Sequence, residues 1–120
     1  MANYYKKSFL IISLDRNPGG ITTMVRNSSK ALSDLGYIVK ILIPKNSYSY
    51  YFLKNNFRDL KSIEIIPYTA IARLLLKLRI FFSGKIKSLV LSADIVFLHN
   101  VNLIMSIKLI DPNKKVFVFN

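Results

Sequence analysis

The sequence predicts an α/β domain in three layers, a mainly parallel sheet of about five strands with helices on both faces. Two observations carry this. Short apolar, β-branched runs alternate with helix-period segments along the chain, the rhythm of βαβ units. The first of those runs, Ser8 to Leu14 (SFLIISL), is apolar almost throughout, as a strand buried on both faces must be.

The elements follow in order. After the first strand, Asp15-Arg16-Asn17-Pro18-Gly19-Gly20 is a loop signal. Ile21 to Leu35 has helical period: Ile21, Met24, Val25, Ser28, Leu32 and Leu35 fall on one face, with Arg26, Lys30 and Asp34 off it. Gly36 stops this helix in the usual C-terminal position. Tyr37 to Ile43 reads as a second strand ended by Pro44. Together these form a βαβ unit, so the two strands should be parallel and the crossover right-handed.

Ser47 to Phe57 is aromatic and polar, a short helix or an ordered loop. Ser62 to Ile66 is a third strand closed by Pro67. Tyr68 to Ser92 is a long helical pattern interrupted at Ser83-Gly84. Ala93 to Leu98 is a fourth strand, Asn102 to Leu109 a short helix, and Asp111-Pro112-Asn113 a turn. Lys115 to Phe119 is a fifth strand. The whole is a Rossmann-like pattern within a single domain spanning 1–120. The expectation is that this domain is cut short at Asn120, because ligand sites in such sheets lie beyond the strand C-termini.

Composition narrows the function classes. Just over half the residues are hydrophobic, which favours a folded core. Cysteine is absent, which excludes a disulfide framework, thiolate metal ligation and a thiol nucleophile, and fits a reducing compartment. One His and six acidic residues leave little from which to build a metal site. The 18 Lys and Arg give a formal charge of +12, spread along the chain. Anionic lipid, nucleic acid and phosphate-bearing substrates are the partners such a charge suits. No apolar stretch approaches the roughly 20 residues of a membrane span, and Phe9 to Leu14 is too short for a signal-peptide core.

Gly19 and Gly20 sit between the first strand and the first helix. Adjacent glycines let the backbone approach a ligand, and the first N–H groups of the helix, with its dipole, favour an anion such as phosphate. Thr22 and Thr23 add hydroxyl donors in the first turn. The spacing is neither G-x-G-x-x-G nor a P-loop. The second strand ends in Ile43-Pro44-Lys45, without the acidic residue that an NAD ribose would want. The same glycines would also serve a tight βα turn.

Three segments in order carry a resemblance. Asp15 to Pro44 resembles the start of the family 4 type glycosyltransferases of the GT-B fold. There a P-x-x-G-G-like loop leads to a helix reading roughly Leu-A-x-x-L-x-x-x-G, then to a second strand. The matching positions are Pro18, Gly19, Gly20, Ile21, Val25, Ala31, Leu32, Leu35, Gly36, Val39 and Ile41. Ala93-Asp94-Ile95-Val96-Phe97-Leu98-His99-Asn100 is similar to the A-D-hydrophobic-hydrophobic-x-x-H-N strand end of that family. Lys115 to Phe119 is similar to its next strand.

The resemblance covers nearly all of this chain and half of the family's enzyme. It implies the N-terminal, acceptor-side domain of a retaining hexosyltransferase, with the C-terminal donor-binding domain absent. Gly19, Gly20 and Ile21 would border the cleft facing the donor diphosphate or the acceptor. Asp15 and Arg16 would touch the acceptor. His99 would act near the donor sugar, with Asn100 beside it. No cofactor or metal is implied; a nucleotide-sugar is the donor substrate and a glycan or lipid-linked glycan the acceptor. Activity would need the C-terminal domain, on this chain or another.

Ile71 to Ser92 carries Arg73, Lys77, Arg79, Lys85 and Lys87 and no acid. On a wheel Ile71, Leu75, Leu78, Phe82, Ile86 and Leu89 share one face, and Arg73, Lys77 and Lys87 the opposite one. Leu76 and Ile80 lie among the basic residues. This suits an anionic bilayer surface, where each cation contributes about 1 kcal/mol. It equally suits a core helix with a solvated basic face. The expected location is cytoplasmic, peripheral on the inner face of the cytoplasmic membrane. Two other readings stand: a non-catalytic remnant or split subunit, and a basic α/β module for anionic lipid or nucleic acid. The Tyr48, Tyr50, Tyr51 and Phe52 cluster would stack bases in the latter, but no nucleic-acid motif accompanies it, so nucleic acid is disfavoured.

Overall fold

The structure is a computed structural model and describes residues 7–69, 84–98 and 103–118. Five strands form one all-parallel sheet: β1 (Ser8–Ile12), β2 (Ile38–Pro44), β3 (Ile63–Tyr68), β4 (Ile95–Leu98) and β5 (Lys115–Val118). Their spatial order is β3-β2-β1-β4-β5. The chain builds outward from β1 to β3, then crosses back to β4 on the other side of β1. The topological switch point therefore lies between β1 and β4, where crevices open at the strand C-termini.

Four helices are described: α1 (Gly20–Asp34), α2 (Tyr48–Phe57), α3 (Gly84–Ser92) and α4 (Leu103–Ile110). Strand alternation divides the core between the two faces of the sheet. Ile11, Val39, Ile41, Ile43 and Ile63 pack with Val25 of α1 and Leu53 and Phe57 of α2. Leu10, Ile12, Leu42, Ile66, Val96 and Leu98 pack with Ile86, Leu89 and Val90 of α3 and Leu103 and Ile107 of α4. Each such aliphatic side chain contributes about 1.5–3 kcal/mol when fully buried. This is a Rossmann-like three-layer fold.

The cover is uneven. On the α1–α2 face, Phe117 of β5 lies outside the core cluster that packs under those helices. A line of rings runs across that face instead: Tyr37–Phe9 at 5.1 Å, Phe9–Phe97 at 5.4 Å and Phe97–Phe117 at 5.6 Å between centroids. Phe117, at its outer end, is 55% exposed.

Helix α1 ends as expected. Gly36 takes the left-handed conformation at φ 92°. Its N–H reaches the Ser33 carbonyl at 2.9 Å, and the Tyr37 N–H reaches Leu32 at 3.0 Å, a Schellman motif. Ser47 caps α2, accepting from the Tyr50 N–H at 3.1 Å while donating to the Pro44 carbonyl at 2.7 Å. The segment from Ser47 is thus a helix, not a loop.

Several expectations need correction. Of the predicted face of α1, Val25 is buried and Ile21 and Leu32 pack against the core, but the other fully buried positions are Thr22 and Ser29, and Leu35 is exposed beyond the helix end. The wheel placed the stripe by hydrophobicity, whereas small side chains allow α1 to approach the sheet. Pro67 does not close β3; the strand runs through it to Tyr68, in register with Ile43 and Pro44. At the sheet edge a residue without an N–H is tolerated. Tyr68 is therefore a strand residue rather than the start of a helix. β1 stops at Ile12, and Ser13 and Leu14 enter the following loop. Of the long helical pattern through Ser92, only α3 falls in the described residues; 70–83 lies outside them.

Candidate functional site at the C-terminal edge of the sheet

The loop from Ser13 to Gly19 leaves β1 beside the switch point and is anchored from several sides. The Ser13 N–H continues the ladder to the Leu42 carbonyl at 2.9 Å. The Ser13 carbonyl accepts from the Tyr68 hydroxyl at 2.8 Å, a bond from β3 across β2. The Ser13 hydroxyl accepts from the Asp15 N–H at 3.2 Å. Further on, the Arg16 carbonyl accepts from the Ser49 N–H of α2 at 3.0 Å. The base of the loop is held by three elements before any ligand arrives.

A hydroxyl chain runs beneath it. Thr22 and Ser49 are fully buried, and their hydroxyls meet at 2.9 Å. The Thr22 hydroxyl also lies 3.4 Å from Asp15 Oδ2 and 3.5 Å from the Asn17 carbonyl. Ser49 donating to Thr22, and Thr22 to Asp15, satisfies every group, since a carboxylate only accepts. Thr22 is thus turned inward and is not a donor toward a ligand, contrary to the expectation. A buried hydroxyl is worth more to the fold when paired than when aimed at solvent.

The glycines behave otherwise. Gly19 is the N-cap of α1, extended at φ −162°, with no side-chain cap on the helix. Neither Gly19 nor Gly20 has a left-handed φ. A Cβ at Gly20 would meet nothing within 4 Å, and one at Gly19 only the Asn17 carbonyl at 4.0 Å. The turn itself therefore does not require two glycines, either for conformation or for packing. Both are exposed, at the head of a 15-residue helix whose N-terminus carries partial positive charge.

The remaining sequence-derived residues divide clearly. Asp15 is half-buried and Arg16 exposed on the same loop as the glycines. The Ile21 side chain packs against the α1-side core, leaving its backbone in the first turn of the helix. Lys85 and Lys87 are exposed on α3, on either side of the buried Ile86, Leu89 and Val90. His99 and Asn100, which follow β4, lie outside the described residues, as do Arg73, Lys77 and Arg79. Among the described residues, no helix is long and apolar enough to cross a membrane.

Sequence reasoning missed Ser13, Ser49 and Tyr68, which hold the loop. Ser49 and Tyr68 are 27 and 55 residues from their partners, so no local pattern could reveal them. Ser47, as a serine before a helical segment, was the readable signal.

At the opposite edge of the sheet a depression of about 380 Å³ opens, lined by Lys7, Ser92, Asp94, Asp111, Lys114 and Lys115 among others. Its central groups serve the fold. Asp94 Oδ2 accepts the Ser8 N–H at 2.8 Å, and buried Lys114 donates to the carbonyls of Ala93 and Leu91 and pairs with Asp111 at 3.4 Å.

Set against protein-family models, curated proteins and solved structures, the chain has no match.

Proposed function

We propose that this chain is the N-terminal, acceptor-side half of a retaining glycosyltransferase, working with a donor-binding domain. The observation that carries the reading is the bare Gly19–Gly20 pair. It heads α1 at the switch point of a β3-β2-β1-β4-β5 sheet, and neither a left-handed φ nor close packing inside the chain requires it. A glycine pair with nothing to gain inside the chain fits close approach by something outside it.

The chemistry follows from that place. In sugar transfer from a nucleotide-sugar, negative charge develops on the departing diphosphate. The N-terminal end of α1 would stabilise that charge through oriented N–H groups already fixed in position. Asp15 and Arg16, on the same anchored loop, would meet the acceptor. His99 and Asn100 follow β4, the strand on the other side of the switch point, and would serve the donor sugar. The proposal includes no resident metal or cofactor.

The basic segment Arg73, Lys77, Arg79, Lys85 and Lys87 is proposed to meet an anionic membrane, placing the protein on the inner face of the cytoplasmic membrane with a glycan or lipid-linked acceptor. The exposure of Lys85, Lys87 and Leu91 on α3 supports this. Co-sedimentation with anionic vesicles, lost in the Arg73→Glu/Lys77→Glu/Lys87→Glu variant, is the expected result. Equal sedimentation of both proteins would refute the membrane part alone.

The cleft reading is tested by titrating the labelled chain with UDP, GDP and inorganic pyrophosphate while following backbone amide shifts. Perturbation centred on Gly19, Gly20 and Ile21, abolished by Gly20→Val, is expected. Shifts elsewhere, or none with any of the three, would sink it.

A further inference from the structure

We propose that Tyr48 and Tyr51, with Arg16, Lys45 and Asn46, form a stacking subsite for a negatively charged glycan beside the glycine loop. The inference rests on the acceptor-side reading of this sheet edge and names the class of acceptor.

Helix α2 places five aromatic side chains within ten residues, and its period sorts them by task. Phe57 is buried, and Tyr50 and Phe52 pack against the α1-side core. Tyr48 and Tyr51 are left out, 75% and 50% exposed. At i and i+3 they are neighbours on the helix surface, so the two rings form one patch. Single exposed aromatics are ordinary, whereas two at neighbouring helix positions beside a cleft loop offer ring faces to a ligand.

The patch is built before any ligand is present. The Tyr51 hydroxyl donates to Asn46 Oδ1 at 3.2 Å. Its ring meets Tyr50 edge-on at 5.1 Å and 75°, and Lys54 sits over Tyr50 at 5.5 Å. The Ser49 N–H bond to the Arg16 carbonyl at 3.0 Å ties this turn of α2 to the β1–α1 loop. Tyr48, the residue before Ser49, therefore borders the loop that carries Asp15, Arg16 and the glycines. The side chains of Arg16, Lys45 and Asn46 are exposed at the same edge.

The chemistry of these groups selects the ligand. The C–H face of a sugar ring is electropositive and lies well on the electron-rich face of a tyrosine. Side-chain amides such as Asn46 and Asn17 bond sugar hydroxyls in both directions. Arg16 and Lys45 call for a carboxylate, sulfate or phosphate on the glycan. A single-stranded nucleic acid would also stack, but it needs a continuous cationic track. Here the exposed cations beside the rings are Arg16 and Lys45, one on each of two loops, which suits a short glycan with a few charged groups rather than a phosphodiester track.

The test uses the full chain with a short oligogalacturonate, a neutral maltooligosaccharide and an oligothymidylate, followed by amide shifts and tyrosine fluorescence. Oligogalacturonate should bind, and the neutral sugar should bind at least about tenfold more weakly. Tyr48→Ala/Tyr51→Ala should weaken oligogalacturonate binding by about tenfold or more, and Arg16→Ala/Lys45→Ala should flatten its salt dependence. Both pairs are exposed, so circular dichroism should show an unchanged fold. The tyrosine variant should keep the pyrophosphate response at Gly19 and Gly20, while Gly20→Val should lose that response and keep oligogalacturonate. This separates failure of the subsite from failure of the cleft reading. Oligogalacturonate binding that is absent, insensitive to the tyrosines, or weaker than oligothymidylate binding would overturn the proposal.

Discussion

The hydroxyls of Thr22 on α1 and Ser49 on α2 meet at 2.9 Å, with both residues fully buried. The pair joins two helices on the same face of the sheet, directly under the loop that carries the glycines. It also explains why a polar residue occupies the buried face of α1. The side chain that leaves Asp15 accepting from Thr22 on one side leaves Ser49 satisfied on the other.

Removing either hydroxyl should therefore destabilise the fold. Ser49→Ala and Thr22→Val should each cost about 1–2 kcal/mol, by stranding the partner. The double variant should cost less than the sum by at least about 0.5 kcal/mol. Urea unfolding of the four proteins closes the cycle. Strict additivity would mean that the two hydroxyls do not interact.

The glycines separate a role in folding from a role outside it. Gly20→Ala adds a Cβ that meets nothing and replaces a poor helix former, so stability should hold or rise by about 0.5 kcal/mol. Gly36→Ala forces a side chain into φ 92° and should cost about 1 kcal/mol. Thermal melts of the two variants should move in opposite senses, or only the second should move. A large loss of stability from Gly20→Ala would give that residue a structural task and remove the main support for the cleft reading.

Lys114 is buried at the opposite edge of the sheet, 7% exposed, with its ammonium on the carbonyls of Leu91 and Ala93 and near Asp111. It ties the turn before β5 to the segment before β4. Lys114→Met should cost on the order of 2 kcal/mol, since carbonyls and a carboxylate lose their donor. Asp111→Asn, at a more exposed position, should cost less. Denaturant midpoints of both variants check the order, and a larger effect at Asp111 would reverse it.

The uneven cover of the sheet is directly measurable. Leu98 is fully buried under α3 and α4, so Leu98→Ala should cost about 3 kcal/mol. Phe117, on the other face and next to β4, is larger yet half in water. Phe117→Ala should cost under about 1 kcal/mol, mostly the edge-on contact with Phe97. Equal losses would mean that Phe117 is covered in solution.

Much of the fold was legible because apolar periodicity reports burial directly. β1, β2 and β4 are mostly Ile, Leu, Val and Phe because residues of both of their faces enter the two core clusters. Gly36 marked the end of α1 because a left-handed residue there is a local need. Pro67 misled because proline reports only a missing donor, and whether a strand position needs one depends on its neighbours. β3 is an edge strand, and sheet order is not a local property. Leu35 misled for a similar reason: it continues the helical period one residue past the last helical position, where the backbone has already turned away.

The sequence by itself determined the alternation of strands and helices, the glycine loop between β1 and α1, the basic balance and the absence of thiols. All of these are local or compositional, and side-chain size, charge and backbone freedom report them residue by residue. Only the tertiary structure decided that Thr22 turns inward to Ser49, that Tyr68 reaches Ser13, and that Tyr48 and Tyr51 stay outside at the same edge as the glycines. Those relationships join residues tens of positions apart. They exist because a parallel sheet returns each strand to the same edge through a helix, a closure that depends on the packing of the whole chain.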